Sequence, residues 1–273
     1  MGRVLRAGRR GVANTLIRVV SLNCNGIRAA TRKGLYAWLL RVDPDVVCFQ
    51  ETKAQEHQLP FDALGLMSYF TIYADAERRG YSGVAIYARR PPDRSHTGLG
   101  WPDYDREGRY VQIDYGALSF ASIYVPSGSM GPERQRWKDG FLERFEPWLQ
   151  QTIRDGRSYI LCGDYNIAHR DIDIYDPRRA QVWSGFLPHE RAWMDRVIDV
   201  DGWVDGFRAV RPEPELYTYW SNFEQAFEKN RGWRIDYQLV TPDLRSRILN
   251  AYVYTEERFS DHAPVVVEYD LPS

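Results

Sequence analysis

Short apolar runs rich in Val, Ile and Tyr recur along the whole chain and constrain its fold more than any other feature. Eight of these runs have the length and composition of β-strands. They read, in chain order, "LIRVVSLN", "DVVCFQE", "SGVAIYAR", "YVQIDYG", "LSFASIYVP", "YILCGD", "WRIDYQLV" and "PVVVEYD". Strands that follow one another in pairs, with a few helices between them, predict an α/β fold in which two mixed sheets pack face to face with helices outside.

Helical spacing of apolar residues predicts three helices between these strands, at "GLYAWLLRV", from Glu133 to about Arg154, and at "HERAWMDRVI". Linkers, low-complexity tracts and internal repeats are not evident, so we expect residues 16–273 to form a single domain. Residues 1–15 carry four arginines and no acid, and we expect them to be a disordered basic extension.

Composition narrows the class of protein. The formal net charge of −1 disfavours a histone-like binder but allows an enzyme that binds phosphates in one cleft. The three cysteines lie in or beside apolar runs without CxxC spacing, which favours reduced thiols in a cytoplasmic protein. No apolar stretch approaches the roughly 18 residues of a membrane span, so we expect no membrane association.

Polar side chains stand at the end of most predicted strands. The set consists of Asn23, Asn25, Glu51, Tyr124, Asp164, Asn166, Asp236, Asp261 and His262. Loops of packed sheets gather at common edges, where ligand sites form, so we expect these side chains to converge. One acid at a strand end is usually a turn former or a helix cap, and only the convergence of four acids points to a site.

Four carboxylates crowded at one edge would repel one another unless a cation or a proton lay between them. A hard divalent cation with oxygen ligands, such as Mg²⁺, removes this repulsion while keeping positions for water and a substrate phosphate. We expect Glu51 to be its principal ligand and Asp261 a second one.

The remaining polar groups are suited to phosphoryl chemistry. Asp236 paired with His262 would favour the protonated imidazole, which stabilises charge on a phosphoryl oxygen. Asp164 would then orient or deprotonate a water molecule, and Asn166 would hold the geometry.

Nine segments of the chain, in the same order, resemble the signatures of the exonuclease III group of DNA-repair nucleases. They are "SLNCNGIR", "FQETK", "GYSGVAIY", "REGRYVQ", "YVPSG", "GDYNIAH", "GFLPHER", "GWRIDYQ" and "SDHAP". The resemblance as a whole extends from about Ser21 to Glu268. This group includes the apurinic/apyrimidinic (AP) endonucleases. It belongs to the deoxyribonuclease I-like endonuclease–exonuclease–phosphatase superfamily.

The resemblance implies a four-layered α/β sandwich and a requirement for Mg²⁺, with Mn²⁺ as a substitute. It implies hydrolysis of a DNA phosphodiester 5′ to an abasic site, or removal of nucleotides, phosphate or phosphodiester remnants at a 3′ end. The expected partner is double-stranded DNA with abasic sites, nicks or 3′ ends, and the expected state is a monomer.

The resemblance also implies individual roles. Glu51 is the metal ligand and Asp261 lies beside the metal. Asn23 binds the phosphate or steadies the histidine network, and Tyr124 contacts the phosphate as a proton donor or phenolate. Asn25 stands where many eukaryotic relatives carry an acid, and its amide oxygen is also able to coordinate a metal.

Trp183, in the segment "YDPRRAQVWSGF", departs from the family pattern, because many relatives have a small or amide residue there. Three interpretations are open. The indole narrows the pocket that admits a flipped-out abasic sugar, which would favour 3′-end processing. It stacks on a base. It packs under its own loop.

Loops around the same edge are expected to contact DNA through cationic and aromatic side chains. The basic residues are Arg28, Arg32, Lys33, Arg178, Arg179, Lys229, Arg231 and Arg234. We expect the sugar pocket to be lined by Trp233 and by either Tyr219 or Trp220.

Two other functions compete with a DNA-repair nuclease. One keeps the superfamily chemistry but acts on RNA, a phospholipid head group or an inositol phosphate. The other is a non-catalytic DNA-binding relative, for which a cluster containing Glu51, Asp164, Asp236 and His262 would have no use.

Overall fold

A computed structural model describes residues 14–59 and 69–272 and contains two six-stranded sheets. The first sheet contains β1 (Asn14–Asn23), β2 (Val46–Gln50), β3 (Phe70–Ala74), β4 (Val84–Ala88), β11 (Ile248–Val253) and β12 (Val265–Pro272). The second sheet contains β5 (Arg94–Thr97), β6 (Tyr110–Tyr115), β7 (Leu118–Tyr124), β8 (Ser158–Asp164), β9 (Val204–Asp205) and β10 (Asp236–Val240). Each of the eight predicted runs overlaps one of these strands.

Within residues 14–59 and 69–272, six α-helices connect the strands. They are α1 (Ile27–Arg32), α2 (Leu35–Val42), α3 (Pro102–Asp105), α4 (Pro132–Thr152), α5 (Pro177–Ala180) and α6 (Pro188–Asp195). Short 3₁₀ segments lie at Glu56–Gln58, Asp171–Asp173 and Pro242–Arg247, and one π-helical turn, Arg196–Val200, continues α6. In the described part of the chain, none of the helices has both the length and the apolar composition that a bilayer crossing requires.

The predicted four-layered sandwich is confirmed, because three hydrophobic cores lie between its adjacent layers. Between the sheets, Val19, Cys48 and Ile86 of the first sheet pack in one core with residues of the second, among them Ile113 and Cys162. A second core joins α1 and α2 to the outer face of the first sheet. A third joins α4 and α6 to the outer face of the second sheet.

The N-terminal boundary differs slightly from the prediction. Strand β1 begins at Asn14, where it pairs with Pro272 of β12, so Asn14 and Thr15 belong to the sheet. The predicted disordered extension covered both residues. Its other residues, 1–13, lie outside the described part of the chain.

The strand order gathers the predicted polar ends at one edge of the sandwich. The sheets have the orders β11–β12–β1–β2–β4–β3 and β5–β6–β7–β8–β10–β9, with parallel pairing of β1 to β2 and of β7 to β8. Parallel neighbours bring their carboxyl ends to the same edge, and an antiparallel neighbour adds its amino end. The register therefore sets Asp164 directly beside Tyr124 on one side and beside Asp236 on the other.

The turns that leave these strands have unusual backbone conformations. Asn25, Glu51, Lys53 and Asn166 all have φ between 42° and 52°, in the left-handed region that non-glycine residues rarely adopt. Such strained residues cluster at functional sites. A glycine is required opposite this turn, because a Cβ atom at Gly83 would lie 2.3 Å from the hydroxyl of Thr52.

Candidate active site

A cleft of about 840 Å³ opens at this edge between the two sheets. Ten of the predicted site residues line it: Asn25, Glu51, Tyr124, Asp164, Asn166, Trp183, Tyr219, Trp233, Asp261 and His262. Asn23 and Asp236 lie buried behind the wall and reach the cleft through their hydrogen-bond partners. Segments far apart in the sequence therefore meet in one hollow, as the positions of the strand ends predicted.

The amide of Asn23 joins the two central carboxylates. Its Nδ2 donates to Oδ2 of Asp164 and to Oε1 of Glu51, each at 2.8 Å, and the residue is fully buried at the end of β1. An amide that donates both hydrogens to carboxylates favours their ionised forms. This bridge fixes the two acids relative to each other and offsets part of their repulsion.

Asp164 lies at the end of β8 and is almost fully buried. Burial raises its pKa, and Asp236 adds to the rise, while His262 and Asn23 oppose it, so that the pKa is about 7. A carboxylate with a pKa near neutrality exchanges protons readily at physiological pH. Asp164 therefore has the acid–base properties that a general base for water requires.

His262 forms a charged pair with Asp236. Its Nδ1 lies 2.8 Å from Oδ2 of Asp236, and its Nε2 lies 3.9 Å from Oδ2 of Asp164. Burial alone would lower the pKa of the imidazole, but Asp236 outweighs it and raises the pKa to about 10. The ring is therefore a cation at neutral pH, held so that its second nitrogen faces Asp164.

Oxygen atoms suited to a hard cation gather around Glu51. The Lys53 ammonium lies 2.6 Å from Oε2 of Glu51 and 2.5 Å from Oδ1 of Asn25. The Asn25 amide nitrogen in turn donates to Oδ1 of Asp261 at 3.0 Å. Burial would raise the pKa of Glu51, but Lys53 and Asn23 hold it below its usual value, so the carboxylate is ionised.

These residues fit the predicted Mg²⁺ ion in their chemistry. Carboxylate and amide oxygens are the ligands that Mg²⁺ prefers, and a cationic ammonium already bridges two of them. Asp261 also has a lowered pKa, because His262 and Asn25 outweigh the effect of its burial. Within the described residues, the tightest cluster at this site is a different one, Asp164, Asp236 and His262, whose ligand atoms lie within 4.8 Å of one another.

Tyr124 lies at the end of β7 with its ring on the buried guanidinium of Arg109. The guanidinium carbon is 4.9 Å from the ring centre, and Nη1 of Arg109 donates to the Tyr124 carbonyl at 2.8 Å. Burial, Glu51 and Asp164 raise the pKa of the phenol well above its ordinary value. The phenol is therefore protonated at neutral pH, which favours the donor role over the phenolate role that the family resemblance also allowed.

Asn166 follows Asp164 in a turn that fixes its side chain. Its backbone N–H donates to Oδ1 of Asp164 at 2.8 Å, and its Nδ2 donates to the Val125 carbonyl at 2.9 Å. The same Nδ2 lies 3.3 Å from Oδ2 of Asp164. Asn166 thus supports the carboxylate from two sides.

An aromatic wall closes one side of the cleft. Trp183 stacks on Trp233, with ring centres 6.3 Å apart and an interplanar angle of 24°, and remains 45% exposed. Tyr219 pairs with the backbone of Trp233 and packs against the ring of His262. Trp183 therefore faces the cleft, so the interpretation that it only packs under its loop is wrong.

Of the two alternatives Tyr219 and Trp220, Tyr219 lines the cleft, and the prediction that Arg234 contacts DNA is wrong. Trp220 is buried against Phe227 and donates to Asn230, away from the cleft. Arg234 is only 1% exposed and is paired with Asp173 and Asp205, so it has no access to DNA. Successive side chains of an extended segment point to opposite sides, and Tyr219 and Trp233 take the sides that face the cleft.

The other basic residues lie further from the centre. Arg28 is exposed on α1 and Arg178 on α5, both outside the lining of the cleft. Lys33 lies nearer, because it lines a small hollow with Asn25 and Asp261. Direct contact with the reacting phosphate is therefore not expected of Arg28 or Arg178, and a role in DNA binding stays a prediction.

Sequence reasoning gave no role to several charged residues of this region, among them Lys53, Arg109 and Lys138. Lys53 and Arg109 line the cleft, and both lay within recognised segments, "FQETK" and "REGRYVQ", without receiving a role. Lys138 is fully buried, and its ammonium donates to the Asn166 carbonyl at 2.8 Å. A signal for Lys138 was present, because the residue lies three positions before Phe141 in the apolar stripe of α4.

Comparisons with known proteins identify the family of this chain. The model of the Endonuclease/Exonuclease/phosphatase family matches residues 20–262. The exodeoxyribonuclease of Bacillus subtilis is 33% identical over 251 residues, which are 91% of this chain and 98% of the relative.

Solved structures show the same fold. An AP endonuclease from Archaeoglobus fulgidus has a TM-score of 0.84 and 28% identity, covering 93% of this chain and 100% of its own. The 3′ phosphatase NExo from Neisseria, solved with a product DNA hairpin, also has a TM-score of 0.84, with 27% identity and coverage of 93% and 99%. The chain therefore belongs to the endonuclease/exonuclease/phosphatase family, in the branch of exodeoxyribonuclease III and the AP endonucleases.

Proposed function

We propose that this enzyme is a Mg²⁺-dependent DNA-repair nuclease. It would hydrolyse phosphate esters at 3′ ends of DNA, acting as an exonuclease, phosphatase or phosphodiesterase. It would also hydrolyse the phosphodiester bond 5′ to an abasic site. The observation that carries this proposal is the arrangement around Asp164, whose carboxylate lies within hydrogen-bond distance of Asn23 and 3.9 Å from the His262 imidazole. The Asp164 carboxylate as a base, the His262 cation and the Asn23 amide therefore lie together in the cleft.

In this proposal Glu51 is the principal metal ligand, with Asp261 and the Asn25 amide beside it. Mg²⁺, or Mn²⁺ in its place, would supply charge neutralisation for the phosphate when bound. Lys53 would give up its contacts with Glu51 and Asn25 when the ion binds, because the ammonium and the ion compete for the same two oxygen atoms.

The attacking group would be a water molecule activated by Asp164. As the oxygen–phosphorus bond forms, the water proton passes to the carboxylate, whose pKa of about 7 suits this transfer. The side-chain amides of Asn166 and Asn23 hold the carboxylate in place, because both donate to its Oδ2 atom. The phosphorus–oxygen bond to the leaving group breaks in the same displacement.

Two groups would stabilise the charge that develops on the phosphate. The His262 cation lies beside Asp164 and is held by Asp236. The Tyr124 phenol, protonated at neutral pH, offers an O–H donor from the strand on the other side of Asp164. Preorganised donors of this kind each contribute on the order of 10²- to 10³-fold in rate.

The proposed partner is double-stranded DNA with abasic sites, nicks or 3′ ends. Support comes from the names of the relatives, which include a DNA repair nuclease of Danio rerio at 32% identity, and from the neighbour bound to a DNA hairpin. Trp183 and Trp233 present the aromatic faces on which an unstacked base or sugar packs. We propose further that residues 16–273 act as one catalytic domain of a monomeric cytoplasmic protein.

A panel of defined duplexes tests the proposal. A nick, a gap, a recessed end, a 3′-phosphate and an internal abasic analogue are each incubated with Mg²⁺, with Mn²⁺ and with EDTA. We expect metal-dependent hydrolysis of at least one 3′-end or abasic substrate and none in EDTA. Hydrolysis that persists in EDTA, or an absence of cleavage on every duplex, would contradict the proposal.

A further inference from the structure

A buried ion pair outside the reacting groups connects three segments of the cleft. Lys138 on α4 and Glu190 on α6 are both completely buried, and the ammonium lies 2.5 Å from Oε1 of Glu190. Burying such a pair is weak evidence for stability, because apolar side chains of similar volume often stabilise a fold equally well. The contacts of the pair indicate what else it does.

The Lys138 ammonium reaches the backbone of Asn166. It donates to the Asn166 carbonyl at 2.8 Å, next to the turn in which Asn166 has φ of 52°. This conformation is costly for a residue with a side chain and persists only where its surroundings enforce it. Lys138 therefore helps to hold the turn that directs the Asn166 amide at Asp164.

The Glu190 carboxylate reaches the loop that carries Trp183. Its Oε2 accepts from the backbone N–H groups of Gly185 and Leu187 at 2.6 Å and 3.0 Å. A cap on α6 would need only this oxygen, yet the other oxygen faces Lys138 and also accepts from Gln135. The carboxylate thus ties the loop to α4 as well as to its own helix.

The Asn166 turn and the loop that carries Trp183 also contact each other directly. The N–H of Ala168 donates to the Gly185 carbonyl at 2.8 Å. A Cβ atom at Gly185 would lie 3.0 Å from the Asn166 carbonyl oxygen and 3.2 Å from the Trp233 ring. A shift of this loop would therefore move the Asn166 turn and the aromatic wall together.

We propose that Lys138 and Glu190 are positioning residues that hold Asn166 against Asp164 and keep the Trp183 loop in register with it. This inference rests on the proposed function, since it assigns the pair a role in the same hydrolysis. The pair acts through Asn166 and does not touch the reacting atoms. Misplacement of a supporting group by about 1 Å costs up to about 10²-fold in rate.

The test is the double variant Lys138→Met/Glu190→Gln, which leaves no unpaired charge in the interior. The glutamine oxygen still accepts from Gly185 and Leu187, whereas the donor to the Asn166 carbonyl is lost. On a duplex with a recessed 3′ end and Mg²⁺, we expect kcat to fall on the order of 10-fold. We expect KM to stay within about twofold, because no group that contacts DNA is removed.

Repeating the double substitution in an Asn166→Ala variant distinguishes a positioning role of the pair from a general structural role. In an Asn166→Ala variant the same double substitution should cost less than about twofold in kcat, because residues that act through one group are not additive. An equal loss in both backgrounds would overturn the proposal, and so would full kcat in a folded double variant. Wild-type enzyme without cleavage would instead contradict the proposed function.

Arg18→Met/Glu268→Gln is a matched control. This pair joins β1 to β12 with a nitrogen–oxygen distance of 2.7 Å, and Arg18 is five residues, roughly 16 Å, from Asn23 along the strand. We expect a lower melting temperature and unchanged kcat. If the Lys138→Met/Glu190→Gln variant does not fold, Lys138→Met alone decides, because it removes the donor to the Asn166 carbonyl while Glu190 keeps its donors Gly185, Leu187 and Gln135. A folded Lys138→Met variant with wild-type kcat overturns the proposal, and a loss that disappears in the Asn166→Ala background supports it.

Discussion

Replacing Asp236 by Asn removes the charge that keeps His262 protonated. The imidazole has a pKa of about 10, compared with an ordinary value of 6.5, and Asp236 is the main cause of the rise. Asparagine keeps the shape and a hydrogen bond but not the charge. Burial then lowers the pKa of the imidazole, opposed by the carboxylates of Asp164 and Asp261, so the cationic fraction of the ring at neutral pH falls.

The expected loss follows from the role of the cation. Removing one preorganised stabiliser of transition-state charge costs about 10²- to 10³-fold in kcat, or about 2.7–4 kcal/mol. The assay is single-turnover hydrolysis of a 3′-phosphate duplex with saturating Mg²⁺, measured between pH 6 and pH 10. We expect the alkaline limb, which reports the loss of the His262 proton, to move to lower pH in the Asp236→Asn variant.

Stability gives an independent measurement of the same pair. Because the folded-state pKa of His262 is raised, its stabilising effect is full below about pH 6.5 and is lost as pH rises toward about 10. The melting-temperature difference between wild type and Asp236→Asn should therefore be largest near pH 6 and shrink toward pH 10. An unchanged alkaline limb together with a loss in kcat below about threefold would refute the assigned role of the cation.

Three further predictions concern other parts of the molecule. Trp183→Ala should increase incision at an internal abasic analogue relative to 3′-end hydrolysis, because it opens the space beside Trp233; an unchanged ratio would remove the steric interpretation. Arg178→Ala should reduce the slope of log K against log salt by about 1 in a DNA-binding titration if Arg178 contacts a phosphate, and an unchanged slope would exclude that contact. Arg234→Met should destabilise the fold by about 3–5 kcal/mol in urea unfolding, because Asp173 and Asp205 lose their buried partner; a change below about 1 kcal/mol would contradict this.

Much of the fold was predictable because buried strands leave long apolar runs. Strand β2, which ends at Gln50, is buried at every position, and strand β8, which ends at Asp164, is buried at all but one, so both stand out in the sequence. Strand β5, in contrast, is exposed at all four positions, and β9 has only two residues, so neither produces an apolar pattern. The sequence also gave no reason to extend β1 back to Asn14.

The candidate site was predictable where polar residues follow buried strands. Asp236 and His262 lie 26 positions apart, and the expected pairing of the two side chains is present at 2.8 Å. Tyr219 could not be told apart from Trp220, and Arg234 was assigned wrongly, because proximity in sequence does not say which side of an extended segment faces the cleft. Lys53 received no role, although a strained turn brings its ammonium to Glu51.

The central claim is that the carboxylates of this cleft hydrolyse DNA with a metal held at Glu51. The most direct measurement compares wild type with Glu51→Gln in Mg²⁺-dependent cleavage of a duplex with a recessed 3′ end, with binding of the same duplex measured in EDTA. We predict that cleavage falls by at least about 10²-fold while the dissociation constant changes by less than about threefold. Cleavage by Glu51→Gln at the wild-type rate would contradict the account.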